Sequence, residues 1–238
     1  MLFLMSTPPR LEPVTPYTNY HCSLPSTVFT PDMVPKICLM EKLLDLYASI
    51  APLSVEFFEH MRKTIKPRRI RKHEILLREG QICKEMLYVE TGLLRSFYWF
   101  NETEVSTWFM SEEKLVISIR SFFWQLPSYE YIEALENGLV WVMTYDELQT
   151  LYKLFPEFNL HRSIMLEHYS ALSDERHHFK ALLTAQERYE SLIAGDPALL
   201  NRVPDKYLAS YLGVHPSSLS RIKGQYERSK RDGGQKAA

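Results

Sequence analysis

Apolar positions change their period several times along the 238 residues. Leu43, Leu46, Ile50, Leu53, Phe57, Phe58 and Met61 recur at helical spacing, and Pro52 divides them into two short helices between Leu39 and Ile65. From Ile70 to Thr144 the texture turns to short β-prone runs. Ile75–Leu77, Met86–Val89, Leu93–Phe100, Val105–Met110, Leu115–Ile119, Tyr129–Leu135 and Leu139–Thr144 are separated by turn dipeptides such as Glu79-Gly80, Thr91-Gly92 and Asn101-Glu102. Asn137-Gly138 between the last two predicts a type I′ hairpin. About eight short strands predict an antiparallel roll or barrel.

Helical spacing returns from Tyr145 to about Leu183, with Pro156 opening the main segment. Phe158, Met165, Leu172 and Phe179 stand seven apart, and Tyr169 and Leu183 lie four residues after members of that series. A seven-residue repeat predicts a seam between two helices, usually of two chains. Arg162 and Arg176 interrupt it, so a helix lying on the roll stays open as the alternative. Thr184-Ala-Gln-Glu187 fits a capping box for a further helix, which Gly195-Asp-Pro197 ends.

The stretch from Val203 to Gln225 reads as two helices joined by a tight turn. Pro204 suits a first helical turn. Leu208, Ala209 and Leu212 share an apolar face, Gly213 stands where the chain must turn, and Leu219 and Ile222 give the second helix its own buried side. The small Ala209 allows two helices to cross closely. In a helix-turn-helix the start of the second helix meets base edges in the major groove. Those residues here are Ser217, Ser218, Ser220 and Arg221, followed by Lys223, with Lys206 and Arg228 as further DNA-binding candidates. An ordinary helical hairpin is the plain alternative, and the charge distribution argues against it. The whole chain carries −1, yet residues 201–238 hold eight Lys/Arg and three acids, a net +5 on an acidic body.

Composition bounds the rest. Hydrophobic residues at 45% suffice for a packed core. No apolar run reaches the ~18–20 residues of a membrane span, and Met1-Leu-Phe-Leu-Met is too short for a secretory signal, so a cytoplasmic protein is expected. Cys22, Cys38 and Cys83 form neither a disulfide framework nor a metal-ligand pair. His161 and His168 share a helix face and His177 adjoins His178, but no carboxylate or cysteine joins them at ligand spacing, so no metal is expected. No nucleophile or general-base arrangement stands out, and an enzyme is not expected. The division is an N-terminal extension at 1–38, disordered or loosely attached and rich in Pro, Thr and Ser; a roll at 39–152; a dimerisation helix at 153–183; and a helix-turn-helix unit at 184–238. Met33 and Met40 are alternative starts.

Taken in order, Leu77-Arg-Glu-Gly80, Val89-Glu-Thr-Gly-Leu-Leu-Arg95, Tyr131-Ile-Glu-Ala-Leu135 and Tyr207 to Ile222 resemble the cyclic AMP receptor and fumarate–nitrate regulator (Crp–Fnr) family of bacterial transcription factors. The likeness covers about Leu39 to Tyr226 and is strongest to a shortened Bacteroidetes-type branch. It implies an α+β chain: an antiparallel, cyclic-nucleotide-binding-like jelly roll flanked by helices, a long dimerisation helix and a C-terminal helix-turn-helix. It further implies a homodimer on pseudo-palindromic double-stranded DNA, with RNA polymerase as a candidate partner. Phe158, Met165, Tyr169, Leu172 and Phe179 would form the dimer interface.

Two departures qualify this. The family's nucleotide cassette supplies a Gly-Glu pair and later an Arg followed by Ser or Thr. Ser118-Ile119 and Ser128-Tyr129 stand in those places here, and Glu130 would repel a phosphate. Cyclic AMP binding is therefore expected to be weak or absent, with no cofactor. Ser118, Arg120, Ser121, Ser128, Tyr129 and Glu130 would line a pocket that is either self-filled or open to another effector. Three scattered cysteines cannot supply a four-cysteine cluster. The second departure is that Gln225 to Ala238 is too poor in β-formers for the family's two-stranded wing, leaving a basic, flexible tail. The rival reading is an effector-sensing or protein-interaction module whose DNA-binding end has degenerated.

Overall fold

The computed structural model describes the backbone of residues 34–235 and the side chains of residues 40–228. The expected N-terminal extension therefore lies almost wholly outside the described residues. Helix α1 (Val34–Ile50) begins five residues before the expected Leu39, and α2 (Val55–Thr64) is capped by the Ser54 hydroxyl, which accepts from Phe57 N–H.

Eight strands follow: β1 (Lys66–Ile70), β2 (Ile75–Leu77), β3 (Glu85–Thr91), β4 (Leu94–Phe100), β5 (Thr103–Met110), β6 (Leu115–Val116), β7 (Tyr131–Ala134) and β8 (Gly138–Thr144). They form two four-stranded antiparallel sheets, β1-β8-β3-β6 and β2-β7-β4-β5, whose inner faces close a roll. Strand β1 escaped the sequence reading because Lys66-Pro-Arg-Arg has no apolar alternation, yet it pairs with β8 along its whole length.

The expected Asn137-Gly138 hairpin is wrong. Strands β7 and β8 sit in different sheets, so the dipeptide crosses between sheets instead of reversing one. Gly138 has no positive φ. It is glycine because its backbone lies against Thr91 and Gly92, where a Cβ would come within 2.1 Å of the Thr91 carbonyl oxygen. The tight hairpin is instead β4–β5, with both Asn101 and Glu102 left-handed at φ 45° and 61°.

Between β6 and β7 lies a short helix, α3 (Ile119–Trp124). Helix α4 (Tyr145–Leu154) starts with a capping box made by Thr144 and Glu147. Helix α5 (Phe158–Leu182) is the expected long helix, and α6 (Ala185–Gly195) starts with the Thr184–Glu187 box read from the sequence. Three helices follow among the described residues: α7 (Leu199–Arg202), α8 (Asp205–Leu212) and α9 (Pro216–Gln235). No strand follows α9 among the described residues, and the expected flexible tail is helical as far as Gln235.

Two apolar clusters hold the molecule. The first joins α1, α2, the roll interior, α4 and Phe158. The second joins α6 to α9, and three roll residues, Leu93, Phe109 and Leu135, belong to it. The C-terminal helices are thus packed onto the roll's outer face. Among the described residues no helix is long and apolar enough to cross a membrane.

The seven-residue series of α5 does not line a free face. Phe158 is buried against Tyr47, Phe57 and Tyr152 in the chain's own core. Met165 packs on the same core, the Tyr169 hydroxyl donates to Leu115 O at 3.3 Å, Leu172 is half-buried, and Phe179 lies 5.8 Å from Tyr211. Arg176, the apparent interruption, belongs to this face: it donates to Thr107 O at 2.6 Å and lies 4.0 Å over the Trp108 ring. His161 of this helix turns into the chain's own core. It is fully buried, and its Nε2 meets Tyr47 O at 2.9 Å and Ala51 O at 3.1 Å, at the end of α1.

Candidate nucleic-acid interface

Helices α8 and α9 form a closed two-helix unit. Gly213 takes the left-handed conformation (φ 67°, ψ 34°), its N–H donates to Ser210 O, and Val214 N–H reaches back to Ala209 O at 3.0 Å. Leu208, Ala209, Leu212, Leu219 and Ile222 are buried together, as the spacing predicts. Pro204 sits just before α8, one residue earlier than expected, with its carbonyl accepting from Tyr207 and Leu208 N–H. The start of α9 is capped by His215, whose Nδ1 accepts from Ser217 N–H at 3.4 Å and meets the Ser217 hydroxyl at 2.9 Å.

The seven expected contact residues separate into groups. Ser217, Ser220 and Arg221 are exposed, and Arg221 has no bond to any described residue. Ser218 is half-buried. Lys223 is drawn back onto Asp205 of α8 as an ion pair within the unit. Lys206 lies 5.6 Å from the Tyr207 ring centroid, and Arg228 Nε donates to Gly224 O at 3.1 Å.

The sequence reading missed a basic cluster beside this unit. Arg188 of α6 donates from Nη1 to Lys180 O at 3.1 Å, and its Nη2 stands 3.9 Å from where a Cβ on Gly213 would lie. Lys180 follows Arg176 by one turn of α5. Burial lowers the Lys180 ammonium, and Arg176 and Arg188 lower it further. Only the helical spacing of Arg176 and Lys180 was legible beforehand; Arg188 joins them through the fold.

The cassette residues divide in the same way. Ser118 and Ser128 hydroxyls meet at 3.1 Å, and the Ser128 hydroxyl donates to Glu130 O. Ser121 accepts from Cys83 N–H and donates to Leu126 O, so it braces α3. Arg120 is exposed, bonded to Pro127 O at 3.4 Å, and Tyr129 is exposed too. The Glu130 carboxyl is raised above the ordinary carboxylate range by burial, while Ser118 and Arg176 act the other way. A cleft of about 370 Å³ opens elsewhere, between α2 and α4, lined by His60, Lys63, Lys66, Asp146 and Thr150 among others. No group of three His, Cys, Asp or Glu able to hold a metal occurs among the described residues.

The roll of two four-stranded sheets, the long helix α5 and the α8–α9 unit packed against the roll together make up the fold. Solved structures share it at low identity. FixK2 from Bradyrhizobium japonicum superposes with a TM-score of 0.59 at 14% identity, over 70% of this chain and 86% of that one. A putative transcriptional regulator of the Crp/Fnr family from Eubacterium rectale gives 0.57 at 15%, over 76% and 88%. A cyclic nucleotide-binding domain from Methylobacillus flagellatus gives 0.53 at 18%, over 60% and 82%. No family model matches the sequence, and no curated protein matches it.

Proposed function

We propose that this chain is a homodimeric, sequence-specific DNA-binding regulator whose roll takes no cyclic nucleotide. The observation that carries this is the start of α9. A complete helix-turn-helix leaves Ser217, Ser220 and Arg221 outside the packed unit, and Arg221 has no partner in the described chain. Such an arginine can grip guanine O6 and N7 with both arms, while serines tolerate several bases. Arg188, Lys206 and Arg228 then serve phosphates, and Lys223 acts within the unit, held by Asp205.

The dimer face is revised from the sequence reading. With Phe158, Met165, Tyr169 and Phe179 turned to their own chain, the opposite side of α5 carries Leu160, Ile164, Ala171 and Leu182. Leu160 and Leu182 are 54% and 69% exposed. Small Ser163, Ser170 and Ala171 beside them let a second helix approach. A dimer formed there would have to set its two recognition helices about one DNA turn apart, ~34 Å, to read a palindrome. Replacing Leu160 and Leu182 together by Glu is expected to give a monomer in sedimentation equilibrium, whereas a persisting dimer removes this face.

The roll reading rests on Glu130. A half-buried carboxyl stands near Ser118 and Ser128, and the nearby cation, Arg176, is engaged with Thr107 and Trp108. A cyclic phosphate entering there would meet a carboxyl without gaining a free arginine. Calorimetry with cyclic AMP is expected to show no binding; a low-micromolar dissociation constant contradicts it.

The deciding test is selection from a random DNA library with purified protein at near-physiological salt and no effector, beside Arg221→Ala. A two-fold-symmetric motif, with one base per half-site relaxed in the variant, supports the reading. Absence of enrichment overturns it.

A further inference from the structure

The joint between roll and helix-turn-helix is built from charges, not from apolar contact alone. Arg95 of β4 is only 1% exposed. Its Nε donates to Glu133 at 2.7 Å and its Nη2 to Glu104 at 2.6 Å, both on the roll. The same guanidinium lies 4.1 Å from the Phe97 ring centroid and 3.5 Å from that of Tyr207, which belongs to α8. Arg202 at the end of α7 reaches the roll in the other direction. It donates to both oxygens of Glu112 at 2.7 and 2.9 Å and to both of Glu136 at 2.7 and 3.0 Å. Farther along α8 the Ser210 hydroxyl accepts from Ser106 N–H at 2.8 Å and donates to Glu104 O at 2.7 Å, satisfying the outer edge of β5.

Apolar burial through Leu93, Phe109 and Leu135 would tolerate sliding, because the hydrophobic effect has no direction. Forked arginine–carboxylate bonds and a stacked guanidinium do not tolerate it. We infer that Arg95 and Arg202 are positioning residues that hold each helix-turn-helix at one orientation on its roll, and so set the half-site spacing that a dimer accepts. This rests on the DNA-binding reading above. Neither arginine is part of the face offered to DNA, which lies at the start of α9.

The test uses the full chain, Arg202→Ala and Arg202→Lys, with Tyr207→Leu as a second route that keeps an apolar contact but removes the ring over Arg95. Two readouts are taken. The first needs no DNA: exchange of the Ser106 amide, whose bond to Ser210 spans the joint. It is expected to speed up about 5- to 30-fold in Arg202→Ala, the range for losing a partly exposed, forked ion pair, and less in Arg202→Lys. The second is binding to the selected palindrome with its half-sites moved apart by one or two base pairs. The parent should lose about tenfold or more; Arg202→Ala and Tyr207→Leu should lose within about threefold, with single half-site affinity unchanged. A purely structural role would weaken all spacings equally, and that outcome overturns the proposal. So does an unchanged Ser106 exchange rate. If the parent selects no DNA, the regulator reading and the spacing role both fall, while Ser106 exchange still reports whether the arginines hold the joint.

Discussion

Helices α8 and α9 stand side by side, yet Asp205, Tyr207 and Ser210 of α8 are engaged within the fold while Ser220 and Arg221 near the start of α9 are left open. On α8, Asp205 pairs with Lys223, Tyr207 covers Arg95, and Ser210 bridges Ser106 and Glu104. On α9, Ser220 and Arg221 are exposed, and Arg221 bonds to nothing in the described chain. A hydroxyl or a cation satisfied within the fold holds geometry. The same group left unsatisfied at a helix start has hydrogen-bonding capacity to offer a partner. Residue type alone does not separate the two roles; pairing does.

The comparison breaks most sharply at Arg95. Arg95→Leu leaves Glu133 and Glu104 without their cation in a buried place, and should cost about 3–5 kcal/mol of stability. Urea unfolding reads this, and a loss under about 1 kcal/mol would mean that the joint is apolar in effect. On the other helix, Arg221→Ala should leave stability within about 0.5 kcal/mol and cost about 1–3 kcal/mol of specific binding. Arg188→Ala separates phosphate contact from base reading. It should weaken binding to every sequence alike and lower the salt slope by about one; a sequence-dependent loss would remove it from the phosphate face.

Gly213→Ala tests the turn between the two helices. Its new Cβ would meet only Arg188 Nη2 at 3.9 Å, so the cost is that of a left-handed residue, about 1–2 kcal/mol. The smallest effect is with pH. Arg202 bonding holds the Glu112 carboxyl down at about 2. A depressed carboxylate stabilises the folded state above its ordinary value of 4.5, and that contribution fades as pH falls toward 2. The protection of the Ser106 amide, its exchange relative to that of an unstructured amide at the same pH, should therefore be steady above about pH 5 and fall below the ordinary carboxylate range. In Arg202→Ala this step should shrink.

Much of the fold was legible because local pattern and tertiary need coincide. The strands from Ile75 onward, the Thr184–Glu187 box, the Gly213 turn and the buried Leu208, Ala209, Leu212, Leu219 and Ile222 all follow from spacing. What failed depended on distant partners. Asn137-Gly138 reads as a hairpin, but close approach of the Thr91-Gly92 backbone explains its glycine. The seven-residue series of α5 marks one apolar face without saying whether its own roll or a second chain covers it; Tyr47, Leu115 and Tyr211 answer that. Arg95 stood within a recognised run, but its meeting with Tyr207 lies 112 positions along the chain.

By itself the sequence determined the succession of helices, strands from Ile75 onward and helices again, the helix-turn-helix and the basic character of its end, since these rest on periodicity, capping and glycine conformation over a few residues; β1, α3 and α7 were not legible in it. Only the tertiary structure decided which arginines and serines are held and which are free. That depends on carboxylates, rings and backbone edges brought together from distant segments, and burial makes each such pairing obligatory: a charge removed from water without its partner costs several kcal/mol.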